Sequence, residues 1–261
     1  MKNEEQLKSE VKDKYSAIVT DSKSRCGCGG KTEVVFEIDY SRIDGYDPEA
    51  DYGLGCGIPT DGAGIKPGDT VLDLGSGAGN DVFVARRVVG ETGKVIGVDM
   101  TEAMVEKAKA NNARAGYSNV EFRLCEIENM PVDSDSVDVV LSNCVLNLVP
   151  DKARAFSEIM RVLKPGGHFS ISDIVTTAAL PQRLRDVAAL YAGCVSGALV
   201  KEEYVSIIEK WGFMDVVVKN ERPITVPDGN LDGVSGDDLD ALRSSGSAII
   251  SITITGRKPS A

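Results

Sequence analysis

Positive charge is scarce in this chain. Its 29 lysines and arginines face 40 aspartates and glutamates, for a net charge of −11. Such a balance argues against a nucleic-acid partner, because DNA and RNA binding draw on clustered Lys and Arg. No apolar run reaches the roughly 20 residues that a membrane helix needs. The opening Met1-Lys2-Asn3-Glu4-Glu5 leads into a charged segment with no apolar secretory core. These absences predict a cytoplasmic protein with neither nucleic acid nor membrane as partner, in a compartment where thiols stay reduced. Histidine is nearly missing too. His168 stands alone at the entry to a strand, where packing or solvent contact suits it better than acid–base catalysis. What the chain does have is 261 residues, 42% of them hydrophobic, enough for one α/β domain, or one plus a small appendage, with a full core and no disulfide staples. Its six cysteines are therefore candidate ligands or redox groups rather than framework bridges.

Three segments follow from the patterning, and no internal repeat is visible. Residues 1–69 begin with an amphipathic helix over 3–20, with Leu7, Val11, Tyr15 and Ile18 on one face. An irregular stretch rich in Gly, Asp and Ser follows over 21–68, a length that is uncommon without a function. Residues 70–176 alternate strand and helix: strands over 70–74, 94–99, 120–124, 137–142 and 168–174, with helices over 80–89, 101–115 and 150–163 between them. Thr101 is a candidate N-cap, and Lys164-Pro165-Gly166-Gly167 stops the last helix. That rhythm predicts an α/β fold with a doubly wound, mostly parallel, Rossmann-like sheet. Residues 177–261 form a small C-terminal α+β portion that completes the sheet, with helices over 180–197 and 201–211, strands over 215–220 and 248–257, and an acidic, Gly-rich mobile loop over 227–246. Trp211 is expected to pack this portion.

The first strand runs into Asp73-Leu74-Gly75-Ser76-Gly77-Ala78-Gly79-Asn80-Asp81. Glycines there let the backbone turn sharply and approach a ligand that a side chain would exclude, while the helix after them presents unpaired amides. The glycines alone are a weak signal. Asp73 before them, Asp99 closing the second strand and Glu126 after the third make it specific. This stretch, with Arg161-Val162-Leu163-Lys164-Pro165-Gly166-Gly167 before strand five, resembles the class I S-adenosylmethionine-dependent methyltransferases over residues 70–175. The resemblance implies that Asp73 holds the methionine ammonium, Asp99 the ribose hydroxyls and Glu126 the adenine amino group. It places further cofactor contacts on Gly75, Ser76, Gly77, Met100, Ile127 and Asn143.

Most such enzymes methylate oxygen, nitrogen or carbon and need no thiols. Here Cys144 follows the fourth strand, where a doubly wound sheet forms its ligand crevice. Cys56 sits between Gly55 and Gly57, and Cys194 ends a helix beyond the core. Each could be a small buried hydrophobe; together they suit a soft, thiol-seeking centre. Gly55-Cys56-Gly57-Ile58-Pro59, Ser142-Asn143-Cys144-Val145-Leu146-Asn147-Leu148 and Gly193-Cys194-Val195-Ser196-Gly197-Ala198 resemble the three cysteine motifs of arsenite methyltransferases, over nearly the whole chain. The resemblance implies trivalent arsenic as substrate, bound by Cys56, Cys144 and Cys194. It implies a disulfide relay to Cys56 from a cysteine near the N-terminus, Cys28 by spacing with Cys26 competing, reset by a thiol such as thioredoxin or glutathione. It also implies that Tyr15 belongs to a segment that covers the cofactor. Cys125 answers to no motif and is expected to pack. Two other readings stay open: a carbon- or oxygen-methyltransferase for a small quinone-like acceptor, and a thiol-based metal-binding or sensing protein. The latter lacks a second Cys-x-x-Cys pair.

Overall fold

A computed structural model describes residues 4–20, 38–180, 197–224 and 235–260. Cys26, Cys28, Cys194 and most of the helix expected over 180–197 lie outside them. Seven strands form one sheet in the order β3-β2-β1-β4-β5-β7-β6. The strands are β1 (Thr70–Leu74), β2 (Lys94–Asp99), β3 (Val120–Leu124), β4 (Val137–Asn143), β5 (Leu163–Thr176), β6 (Met214–Pro223) and β7 (Ile249–Arg257). The first five are parallel, while β7 runs antiparallel to both β5 and β6. Helices α2 (Asn80–Val89), α3 (Glu102–Ala115), α4 (Lys152–Val162) and α5 (Lys201–Lys210) accompany the sheet. The strand order reverses between β1 and β4, and that switch point is where such sheets open a ligand crevice at their carboxyl ends.

Apolar burial explains why these elements form. Strands β1, β2 and β4 are almost wholly buried, as a parallel sheet covered on both faces requires. One core cluster gathers Phe156, Phe169, Tyr204 and Phe213, with the Phe169 and Phe213 rings edge-on at 5.0 Å. A second packs α2 and α3 through Val82, Phe83, Val105 and Ala108. Each fully buried valine or phenylalanine among them contributes about 1.5–3 kcal/mol. A third cluster joins Val11 of α1 (Glu4–Thr20) to Cys56, Cys144, Ile174 and Ile249, with Tyr15 packed against it. No described helix is long and apolar enough to cross a membrane.

The structure corrects or refines the expectations at four places. The segment expected as a loop over 227–246 contains a helix, α6 (Gly236–Ser244), because Ser235 and Asp238 form a reciprocal capping box and Leu242 is buried. Helix α4 begins at Lys152, with the Asp151 side chain accepting from the Arg154 amide at 2.9 Å, and yields at once to β5, which pairs Leu163 with Val137. Thr101 occupies the N-cap of α3, but its hydroxyl makes no capping bond. Trp211 is 40% exposed, at the C-cap of α5 just before Gly212, which ends the helix at φ 82°.

Candidate active site

At the carboxyl ends of β1, β2 and β4 lies a cavity of about 250 Å³, closed on one side by Lys8, Val11 and Tyr15 of α1. Its floor is the glycine turn after β1. Gly75, Gly77 and Gly79 all have left-handed φ (64°, 52° and 103°), and a Cβ on Gly75 would strike Val145 at 2.4 Å. The turn is pinned by the Ser76 amide donating to Val98 O at 2.9 Å and by the Gly77 amide donating to the Asp99 carboxylate at 3.0 Å. The other Asp99 oxygen accepts from the Thr101 amide at 2.8 Å. Ser76 Oγ and Asn80 Oδ1 are buried at this wall without a hydrogen-bond partner among the described residues.

Negative charge concentrates in the cavity. Asp73, Asp81 and Asp99 all line it. Burial, then repulsion from Asp81 and Asp99, raises the Asp73 carboxyl well above the usual carboxylate range. Burial lifts Asp81 to about 6, against the hydrogen bonds it accepts from Asn143 and Tyr40. Burial also raises Asp99, though the Thr101 and Gly77 amides oppose it. Met100, Ile127, Asn143 and Cys144 border the same space. Glu126 does not: its carboxylate pairs with Lys8 at 2.8 Å and Lys12 at 3.6 Å, while Glu128, also bound by Lys8 at 2.9 Å, lines the cavity. Cys125 borders it too and packs against the core, its thiol pushed by burial to about 11. His168 does not line this space, and its Nε2 donates to Ala63 O at 2.6 Å.

Behind the cavity wall the structure brings two distant cysteines together. The sulfurs of Cys56 and Cys144 and a carboxylate oxygen of Asp173 all lie within 4.8 Å of one another, and all three residues are buried. Cys144 holds a left-handed backbone at φ 60°, its amide donating to Ser172 O at 2.8 Å. Asp173, three residues before the end of β5, accepts from the Tyr204 hydroxyl at 3.1 Å. Its burial pushes it to about 7 despite the Ile174 amide, Lys152 and Tyr204. Sequence reasoning missed Asp173, Asp81, Tyr40 and Lys8. A lone acid in the apolar run Phe169-Ser170-Ile171-Ser172-Asp173-Ile174-Val175 was the available signal for the first.

The chain is similar to known proteins in sequence and fold. Residues 65–212 fit the methyltransferase-domain family. An arsenite methyltransferase of Halobacterium salinarum is 41% identical over 98% of this chain and 67% of its own length. That of Mus musculus is 38% identical over 71% of this chain and 51% of its own. The chain thus spans about two thirds of one relative and about half of the other. The crystal structure of an arsenic(III) S-adenosylmethionine methyltransferase from Chlamydomonas reinhardtii is 36% identical, with a TM-score of 0.69 over 87% of this chain and 72% of that one. The chain belongs to the arsenite methyltransferase family, within the class I S-adenosylmethionine-dependent methyltransferases.

Proposed function

We propose that this protein methylates trivalent arsenic held by the thiolates of Cys56, Cys144 and Cys194. The observation that carries the reading is the approach of the Cys56 and Cys144 sulfurs beside a cavity suited to the methyl donor. Cofactor fit rests on the cavity's chemistry. Burial raises all three acids, and Asp73 is raised further by Asp81 and Asp99, so a bound cation would favour their ionised forms, and Ser76 Oγ and Asn80 Oδ1 await partners. On this reading Asp73 holds the ammonium, Asp99 the ribose, and Gly75, Ser76, Gly77, Met100, Ile127 and Tyr15 shape the rest, with residues 1–69 as cover, 70–176 as cofactor core and 177–261 as substrate portion. When bound, S-adenosylmethionine supplies an electrophilic methyl on a sulfonium, which the lone pair of arsenic would take.

The protein's own residues do the remaining work. Each thiol replaces one arsenite hydroxyl, forming an As–S bond and releasing water, which strips the substrate's hydration and fixes its pyramid. Buried, largely apolar surroundings keep competing water out. Methylation takes arsenic from the trivalent to the pentavalent state. Two thiols, Cys56 with Cys28 or Cys26, would return the two electrons and form a disulfide. An external thiol such as thioredoxin or glutathione would then reduce it, chemistry suited to a reducing compartment such as the cytoplasm.

The test is arsenic speciation after incubation with arsenite, S-adenosylmethionine and a thiol. Cys144→Ser and Cys194→Ser should each abolish methylation while leaving cofactor affinity intact. Cys56→Ser should stall on arsenite yet act on methylarsenite, which needs two thiolates. Full activity in the Cys144 or Cys194 variant would overturn the reading and favour a carbon or oxygen acceptor.

A further inference from the structure

The loop that carries Cys56 has no regular secondary structure, yet Cys56 is completely buried. Its backbone polar groups are met by side chains from separate parts of the fold. The Cys56 and Gly57 amides both donate to Asn143 Oδ1, at 3.0 and 3.3 Å. Gly57 O accepts from Asn143 Nδ2 and from the Tyr40 hydroxyl, each at 2.9 Å. Cys56 O accepts from Ser251 Oγ at 2.6 Å and Arg222 Nη2 at 3.5 Å. Asn143 therefore reads a dipeptide as a neighbouring strand would, offering acceptor and donor together. The fit leaves no room for larger neighbours: a Cβ on Gly55 would lie 2.6 Å from Asn143 Nδ2, and one on Gly57 2.5 Å from Ser172 Oγ.

Asn143 and Tyr40 are themselves fixed by Asp81. Asn143 Nδ2 donates to Asp81 Oδ2 at 3.0 Å and the Tyr40 hydroxyl sits 3.0 and 3.2 Å from the two carboxylate oxygens. Asp81 belongs to the first turn of α2, directly after the glycine turn, and lines the cavity. The Asn143 amide, expected to touch the cofactor, is thus engaged through both its oxygen and its nitrogen by the Cys56 loop, Tyr40 and Asp81.

We propose that Asp81, Tyr40 and Asn143 are positioning residues that clamp the Cys56–Gly57 backbone and couple the Cys56 thiol to the cofactor turn. Filling the cavity stiffens the glycine turn and α2, and the clamp transmits that stiffness to the loop. Opening of the loop, which exposes the thiol, becomes rarer. The consequence for catalysis rests on the reading of Cys56 as an arsenic ligand; the clamp itself does not.

Alkylation of Cys56 by iodoacetamide in the full chain, followed by mass spectrometry of its peptide, tests the coupling with S-adenosylhomocysteine as the probe. In the unchanged protein the probe should slow alkylation. Tyr40→Phe should speed alkylation about tenfold without the probe, the scale of one buried hydrogen bond, and the probe's effect should vanish. Ser251→Ala releases Cys56 O but leaves the clamp whole, so it should speed alkylation and keep the probe's effect. Should Tyr40→Phe fail to fold, Asp81→Asn gives the same two readouts at nearly constant volume, at a probe concentration that calorimetry shows to saturate that variant. An unchanged alkylation rate in the clamp variant, or a probe effect retained there, overturns the proposal. In turnover, Tyr40→Phe should lower the rate on arsenite about tenfold and spare methylarsenite; equal loss on both substrates also counts against it. A protein that never methylates arsenite would defeat the functional reading alone, since the alkylation result stands without turnover.

Discussion

Cys144 combines a demanding position with an unfavourable backbone. Its φ of 60° is a region L-residues adopt at a cost of about 1–2 kcal/mol, and such strain clusters where function fixes a side chain. Strain of this kind makes a specific forecast. Cys144→Gly and Cys144→Ala both remove the thiol, and ordinary propensity favours alanine. Here the glycine variant should be the more stable by about 1 kcal/mol in urea unfolding, because only glycine relaxes at that φ. The reverse order would show that the backbone does not hold this conformation. Asp173 is the other residue-scale surprise. Alternation along β5 is legible in the sequence, but the acid's meaning comes from Cys56 and Tyr204, which approach it only through the fold. Burial raises its folded pKa to about 7 above the ordinary range near 4. The folded state therefore holds the proton more tightly, and the stability so gained at low pH is lost as pH rises from about 4 through 7. Urea midpoints of Asp173→Asn should lack that loss, so the variant should gain on the unchanged protein from pH 5 to pH 8.

At the scale of elements, the parallel strands were readable because each is a short, continuous apolar run bounded by turn residues. Helix α6 was not, since its acids and glycines mask a capping box whose partners are only three residues apart. The N-terminal helix was readable as amphipathic, yet its docking depends on a polar contact no periodicity announces. Lys8, 14% exposed at its side chain, meets Glu4, Glu126 and Glu128 at 3.1, 2.8 and 2.9 Å. Burial works against the Lys8 ammonium, but those carboxylates outweigh it and raise its pKa. Glu126 is lowered in turn, chiefly by its hydrogen bond with Lys8. Glu126 remains 41% exposed, so the latch is screened and worth no more than about 1 kcal/mol. Lys8→Met keeps the apolar stem and removes the charge. Amides of Glu4–Thr20 should then exchange a few-fold faster at low salt, with the difference shrinking in 1 M salt as screening weakens the latch in the parent. Because Glu126 has a lowered folded pKa, the latch is whole above the ordinary glutamate range and fails as pH drops through that lowered value. Exchange that ignores both salt and the substitution would mean that Val11 and Tyr15 hold the helix alone.

Across the whole molecule, the strand order delivers acids from three separate segments to one opening. Asp73 lies one residue before the end of β1, Asp99 closes β2 and Asp81 lies in the first turn of α2, and the chain as a whole carries −11. The sequence revealed Asp73 and Asp99 at strand ends; that Asp81 shares their cavity follows only from how the glycine turn folds back. An acid raised to about 6 by burial is partly protonated in mildly acidic solution and cannot then offer its charge. A cationic ligand favours the ionised form, so binding should expel a proton and affinity should fall as pH drops below about 6. S-adenosylmethionine carries a sulfonium that S-adenosylhomocysteine lacks, while both share the ammonium, ribose and adenine. The ratio of their affinities therefore isolates the acids' response to the extra charge. That ratio should favour S-adenosylmethionine most at neutral pH and shrink by pH 5, and titration calorimetry in buffers of different ionisation enthalpy should register proton release near pH 6. Asp81→Asn should flatten the ratio's pH dependence. A ratio that stays constant from pH 5 to pH 8 would mean that the cavity's charge attracts the ammonium and does not recognise the sulfonium.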